Sequence, residues 1–253
     1  MISDPYFYLA AIPALLIFGI SKGGFGGGLG IVAVPLMALV VSPADAAGLL
    51  LPLLCLMDAI GIVRYRRSFD RHSLFSMMPG ALLGILLGSL AFGYLPEHLV
   101  RLVLGIVALL FGADHFLRGG GSGPARPKST PGAAFWGTIA GVTSTIAHSG
   151  GPPANMYLLP LKLDKTIFVG TMVVLFTAIN LFKIPPYVAL GLYDARILLT
   201  CLVLAPVAAA GMLLGIRLHG NVEERLFYRI CYGLVLATGL KLVFDGVGGM
   251  LAG

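Results

Sequence analysis

A lysine set among glycines is the first group in this chain with the means to hold a ligand. Residues 20–36, "ISKGGFGGGLGIVAVPL", put Ser21 and Lys22 beside Gly23, Gly24, Gly26, Gly27 and Gly28 within an otherwise apolar stretch. A second such stretch, "STIAHSGGPP" from Ser144 to Pro153, brings hydroxyls and His148 up to Gly150, Gly151 and Pro152. Glycines let a backbone approach a ligand closely, and an ammonium attracts an anion. Ser21, Thr143, Ser144 and Thr145 add hydroxyl donors. His148 is a donor or a proton carrier near neutral pH, and Asn155 is either a cavity-lining amide or an interhelical hydrogen-bonding group. The substrate-binding candidates are therefore Ser21, Lys22, Gly27, Gly28, Thr143, Ser144, Thr145, His148, Gly150, Gly151, Pro152 and Asn155. The bland alternatives are a lysine snorkelling from a helix end and glycines that serve packing alone. Asp58, in "LCLMDAIGIV", is the acid set well inside an apolar run. It is a proton relay, a counter-ion for Lys22 or a structural hydrogen-bonding group. Asp58 and His148 are thus the proton-coupling candidates.

Other chemistries find no footing. No Ser/His/Asp set, zinc signature or phosphate-binding loop stands in a supporting context. Gly24 and Gly26 would need a third glycine where Leu29 stands to make a dinucleotide fingerprint. Cys55, Cys201 and Cys231 lie in apolar runs without metal-ligand spacing and read as small buried hydrophobes. The expectation is a non-enzyme with no cofactor and no metal.

The elements that must position these residues are membrane helices. Of 253 residues, 58% are hydrophobic and only 11% charged, against roughly a quarter charged in soluble domains. Apolar runs near the roughly 20 residues needed to cross a bilayer recur from end to end. The net charge of +6 sits mostly in short loops, where it reports orientation rather than a nucleic-acid partner. The first twenty residues lack a basic start and a cleavage site, so a cleaved signal peptide is not expected.

The runs are Tyr6 to Ile20, Leu29 to Val41, Ala46 to Val63, Ser73 to Gly93 and Leu99 to Leu117. A linker rich in Gly, Pro and Ser, Arg118 to Gly132, divides the chain. Five more runs follow: Ala133 to Ala147, Pro153 to Leu161, Thr166 to Ile184, Ile197 to Leu218 and Leu226 to Phe244. This gives a first membrane repeat over 1–117, a cytoplasmic linker over 118–132 and a second repeat over 133–253. Specific residues recur at an offset of about 122 to 127: Ser21 with Ser144, Gly27-Gly28 with Gly150-Gly151, Asp58 with Asn180, "PGALLGILLG" with "PVAAAGMLLG". Gly84, Gly88, Gly211 and Gly215 in the last pair suit close helix packing. A repeat of this size in an apolar chain marks secondary transporters.

The first two runs of each half are short for a crossing, so each pair reads as a re-entrant, broken helical hairpin followed by three transmembrane helices; the rivals are that every short run crosses by itself or that one run of each pair does. Three crossings per half make the repeat inverted. With "RYRRSFDR" (Arg64, Arg66, Arg67, Arg71) inside, the linker is also inside and both termini are outside. Arg101, Lys183, Arg196 and Lys241 then fall on or near the outer side. The unwound segments face an interior site, since broken backbone in lipid is tolerated only where it is buried in protein or lines a wet cavity. Positive helix N-termini would meet the anion there.

The two motifs, as "GISKGGFGGGLGIVAVPLM" and "GVTSTIAHSGGPPANMYLLP", resemble the paired signatures of the TauE/SafE sulfite exporter family. The resemblance covers nearly the whole chain. It implies a bacterial inner-membrane, multi-pass transporter of small sulfur-containing anions such as sulfite, sulfoacetate or other organosulfonates. It also implies binding by Ser21, Lys22, Gly27, Gly28, Ser144, Gly150, Gly151 and Pro152. Thr145, Ile146 and His148 depart from the glycines more usual in that family. The fold class expected is all-α and polytopic, and the function export by alternating access with possible proton coupling. An anion channel and a non-transporting membrane scaffold in sulfur metabolism are the alternatives.

Overall fold

The computed structural model describes residues 2, 4–27, 37, 40–41, 43–91, 97–117 and 124–251. Among these, every regular element is helical: α1 (Pro5–Phe25), α2 (Pro43–Tyr65), α3 (Arg71–Leu90), α4 (Glu97–Leu117), α5 (Thr130–Ala147), α6 (Gly151–Leu158), α7 (Lys165–Ala189), α8 (Ala195–Asn221) and α9 (Glu224–Leu251). Helices α1, α2, α3, α7, α8 and α9 are long and apolar enough to cross a membrane. Leu83, Leu86 and Leu90 on α3 and Leu198, Leu202 and Leu213 on α8 are exposed. In water these faces would be a liability; against lipid tails they are the expected surface. The chain is a multi-pass membrane protein.

Several helices run past their expected ends, α9 reaching Leu251 rather than Phe244. The first run was expected to stop at Ile20, but α1 continues through Ser21, Lys22, Gly23 and Gly24 to Phe25, 21 residues in all. Glycine is a weak helix former rather than a helix breaker, and tertiary contacts supply the rest, as the site shows. The third helix of the second half, α7, passes Ile184 and carries Pro185 and Pro186 to Ala189. Gly28 and most of the second run, Leu29 to Val41, lie outside the described residues.

Close contacts fix the helix directions. Asp45 pairs with Arg196 at 2.7 Å, the Cys201 thiol meets the Leu49 carbonyl at 3.4 Å, and Gly61 faces Met212. Hence α2 and α8 run side by side in the same direction. Gly19 lies on Gly211 and Met212, and Gly24 on Gly215, so α1 also runs parallel to α8. Consecutive helices α1 and α2 are therefore parallel, so α2 starts back at the end where α1 began. The same return is visible in the second half, where the Arg126 amide before α5 donates to the Pro160 carbonyl after α6 at 2.9 Å.

The α2–α7 contact is antiparallel. Gly48 near the start of α2 receives the Leu192 carbonyl just after α7, and Gly170 near the start of α7 receives the Ser68 carbonyl just after α2. Between these contacts Asp58 accepts a hydrogen bond from the Asn180 side chain at 2.7 Å, two positions 122 residues apart. Further contacts exchange when the halves are exchanged: α1 packs on α8 as α5 packs on α3. Gly84 and Gly88 lie against α5, and Gly211 and Gly215 against α1; a Cβ would collide with facing backbone at Gly84 and Gly215 and would be tight at Gly88 and Gly211. These glycines pack helices, as their spacing suggests.

Candidate functional site

Helices α1 and α5 end in the same way, 122 residues apart. In α1 the left-handed Gly26 (φ 73°) turns the chain, and the Gly27 amide closes on the Ser21 carbonyl at 2.9 Å. In α5 the left-handed residue is His148 (φ 49°), and the Ser149 amide closes on the Thr143 carbonyl at 3.1 Å. Both are Schellman-type closures that satisfy otherwise orphaned end carbonyls. The structural equivalents are thus Ser21 with Thr143, Lys22 with Ser144, Gly26 with His148 and Gly27 with Ser149, rather than the Ser21–Ser144 match expected from the sequence. Glycine takes the left-handed turn freely; a histidine there is uncommon. His148 is held by its ring, whose Nε2 donates to the Ala47 carbonyl at 3.2 Å.

Two tyrosines at the same offset complete the ends. The Tyr65 hydroxyl of α2 donates to the Gly23 carbonyl at 2.8 Å, and the Tyr187 hydroxyl of α7 donates to the Thr145 carbonyl at 2.9 Å. This answers why "SKGG" stays helical. Each last turn has its carbonyls capped by a neighbouring helix, and the break is deferred to Gly26.

Both broken helices therefore present their C-terminal ends, the negative end of the dipole. Of the N-termini expected to meet the anion, that of α6 lies at the break, where of residues 150–153 only Gly150 and Gly151 carry an N–H; the start of the equivalent run from Leu29 lies outside the described residues. Lysines bring further positive charge. Lys22, at 6% exposure, pairs with Asp58 at 2.8 Å and lies 5.7 Å from the Phe176 ring centroid. Lys183, read from the sequence as lying on or near the outer side, is wholly buried. Its Nζ donates to the Ser144 carbonyl at 2.8 Å and lies 3.2 Å from the Ser144 hydroxyl and 3.1 Å from His148 Nδ1. The second half thus has a buried lysine at its break too. It comes from α7 rather than from the broken helix and reaches Ser144, the equivalent of Lys22.

Between the two breaks lies a cavity with about 410 Å³ of empty space, including its open mouth. Lys22, Ser144, His148 and Asn180 form its polar lining, with backbone of Gly26, Gly27 and Gly151. Phe18, Leu54, Met172, Val173 and Phe176 form its apolar wall. The arrangement can hold a small anion by ammonium, hydroxyl and amide donors while the apolar wall excludes water from part of the site.

Of the remaining candidates, Ser21 is buried in the last turn of α1 and Asp58 is buried behind Lys22. Gly150 is wedged among the Ala140 carbonyl, Phe176 and Ser144, and Pro152 lies buried in the first turn of α6. The Thr143 hydroxyl donates to the Ile139 carbonyl at 2.8 Å and the Thr145 hydroxyl to the Gly141 carbonyl at 2.8 Å. Those two protons are spent within α5. Asn155 is fully buried with neither side-chain polar atom hydrogen-bonded, and it does not line the cavity. Sequence reasoning missed Lys183, Tyr65 and Tyr187. Asn180, Lys183 and Tyr187 follow each other at helical spacings of three and four, a polar stripe on an apolar helix.

The family model of the sulfite exporter TauE/SafE matches residues 11–242. The chain belongs to this family. Members of TauE/SafE are membrane transporters and not enzymes. The matched span runs from α1 into α9 and so includes both helix breaks, the cavity and both lysines. Searches of curated proteins and of solved structures find no match.

Proposed function

We propose that this protein exports a small sulfur-containing anion, sulfite or a short organosulfonate such as sulfoacetate, by alternating access at the cavity between the two helix breaks. One observation carries the reading: equivalent breaks in the two halves meet at a cavity lined by Lys22, Ser144 and His148, with no carboxylate among the described residues that line it. The halves act as an inverted repeat in the bilayer. The antiparallel crossing of α2 and α7 at Asp58 and Asn180 supports this, because equivalent helices that cross a membrane in opposite directions belong to oppositely oriented halves. Ser21, Gly27, Gly28, Gly150, Gly151 and Pro152 shape the site through their backbone. The protein sits in the bacterial inner membrane with the central linker cytoplasmic and both termini outside.

A thermal-shift panel on the purified protein tests the binding step, using sulfite, methanesulfonate, sulfoacetate, sulfate and acetate at two pH values. The expected result is stabilisation by sulfite or a sulfonate, about 2.7 kcal/mol at a hundredfold excess over Kd. Absence of stabilisation by every sulfur anion would remove the reading.

A further inference from the structure

Lys183 sits behind the cavity lining, wholly buried, and among the described residues no carboxylate pairs with it. Three atoms surround its nitrogen: the Ser144 carbonyl, the Ser144 hydroxyl and His148 Nδ1. A carbonyl only accepts. His148 Nε2 faces the Ala47 carbonyl, so the ring proton is on Nε2 and Nδ1 is an acceptor. Ser144 Oγ alone can either donate or accept.

Two hydrogen-bonded states fit these same heavy atoms. As an ammonium, Lys183 donates to all three, and the Ser144 proton turns toward the cavity that Ser144 lines. As an amine, it donates to the Ser144 carbonyl and to His148, and its lone pair accepts the Ser144 hydroxyl. Charge decides between them. A buried ammonium without a negative partner is strongly disfavoured. The groups facing Lys183 leave it without one. Asp58 on α2 already holds Lys22 of α1 and Asn180 of α7. His148 on α5 offers a ring nitrogen rather than a carboxylate, Lys22 on α1 repels, Cys55 on α2 brings a thiol, and the Tyr187 hydroxyl is given to Thr145. An anion in the cavity supplies the missing charge and calls for the Ser144 proton as a donor.

We propose that Lys183 and Ser144 form a proton switch that makes the transported anion travel with one proton. This rests on the anion-site reading above. On binding, one proton from bulk solvent, carried in as hydronium and leaving water behind, enters at Ser144 Oγ as the Ser144 hydroxyl proton passes to the Lys183 lone pair; the serine stays neutral, the amine becomes an ammonium, and release returns the proton to solvent by the reverse relay. The added proton offsets the anion's charge. Lys183 is a positioning residue, acting on the anion through Ser144 rather than by contact.

Methanesulfonate tests the switch, because it stays ionised throughout the working range and brings no proton of its own. Wild-type protein in weakly buffered detergent solution should take up about one proton per anion bound. Its affinity should fall about tenfold per pH unit where the amine is the resting form. Lys183→Met should lose both effects, and Lys183→Arg, whose guanidinium does not deprotonate, should bind without proton uptake. Wild-type binding without proton uptake overturns the switch and leaves the anion site standing, and persistence of the uptake in Lys183→Met overturns it equally. Failure of methanesulfonate and sulfite to bind at any pH removes site and switch together. The wild-type measurement decides even where a variant does not fold.

Discussion

Asp58 divides its two oxygens between Lys22 at 2.8 Å and Asn180 at 2.7 Å, so one carboxylate ties α1, α2 and α7 together. A buried pair broken on one side leaves an uncompensated charge, which costs on the order of 3–5 kcal/mol. Asp58→Asn alone should therefore lower stability by about that much, and the neutral double variant Lys22→Met/Asp58→Asn should recover at least half of the loss. Denaturation of the wild type and these two variants, purified in one detergent, checks this. Equal losses in the single and double variants would mean that the ion pair is not what holds the helices. The sequence offered Asp58 as a counter-ion for Lys22 because both are costly in lipid alone. It hid Lys183, since a lysine followed by "IPP" reads as the end of a run. Only the packed helix reveals that α7 carries its prolines inside and brings Lys183 to Ser144.

At the scale of elements, the site depends on helices that touch backbone to backbone. Gly84 presses on the Thr138 carbonyl of α5 and Gly215 on the Ile20 carbonyl of α1, whereas Gly220 on α8 faces open space. Gly84→Ala and Gly215→Ala should each destabilise by about 1–3 kcal/mol through overpacking. Gly220→Ala should be neutral or stabilising by up to about 1 kcal/mol through helix propensity. Thermal unfolding in detergent checks the contrast. The tyrosine caps give a paired expectation: Tyr65→Phe and Tyr187→Phe each remove one buried donor to an end carbonyl, a loss of about 1–3 kcal/mol. Periodicity and run length made the helices and their order legible. The end of α1 was not legible, because its helicity through Gly23 and Gly24 depends on Tyr65, 42 residues away.

At the scale of the molecule, orientation and pH response follow from the loops. Asp70 caps α3 and sits against Lys128 at 2.5 Å, joining the loop after α2 to the central linker. Burial pushes its carboxyl up, but hydrogen bonds from Lys128 and Ser73, with the Lys128 charge, outweigh that and hold it below the ordinary carboxylate value. The sign follows: its contribution is present above the unfolded value of about 3.9 and is lost as pH falls through the lower folded value. Asp70→Asn should thus be less stable than wild type near neutrality, by roughly 1 kcal/mol, with the gap closing in strong acid. Unfolding midpoints of both proteins across pH check it. The contact also places the "RYRRSFDR" loop and the linker on one side of the membrane, so single cysteines in either should label only from the cytoplasm in a cysteine-free background. The repeat was legible from residues at near-constant spacing, but pairing by residue type set the motifs one position off, because cap geometry rather than identity defines their equivalence.

The central claim is that the cavity between the two breaks carries a sulfur anion across the bilayer by exposing it to one side at a time. Counterflow of labelled methanesulfonate into proteoliposomes preloaded with unlabelled anion tests it most directly. The account predicts transient, saturable accumulation in wild type that disappears in Lys183→Met and in the Lys22→Met/Asp58→Asn protein. Flux that rises linearly with concentration and shows no counterflow, or no flux at all, would contradict it.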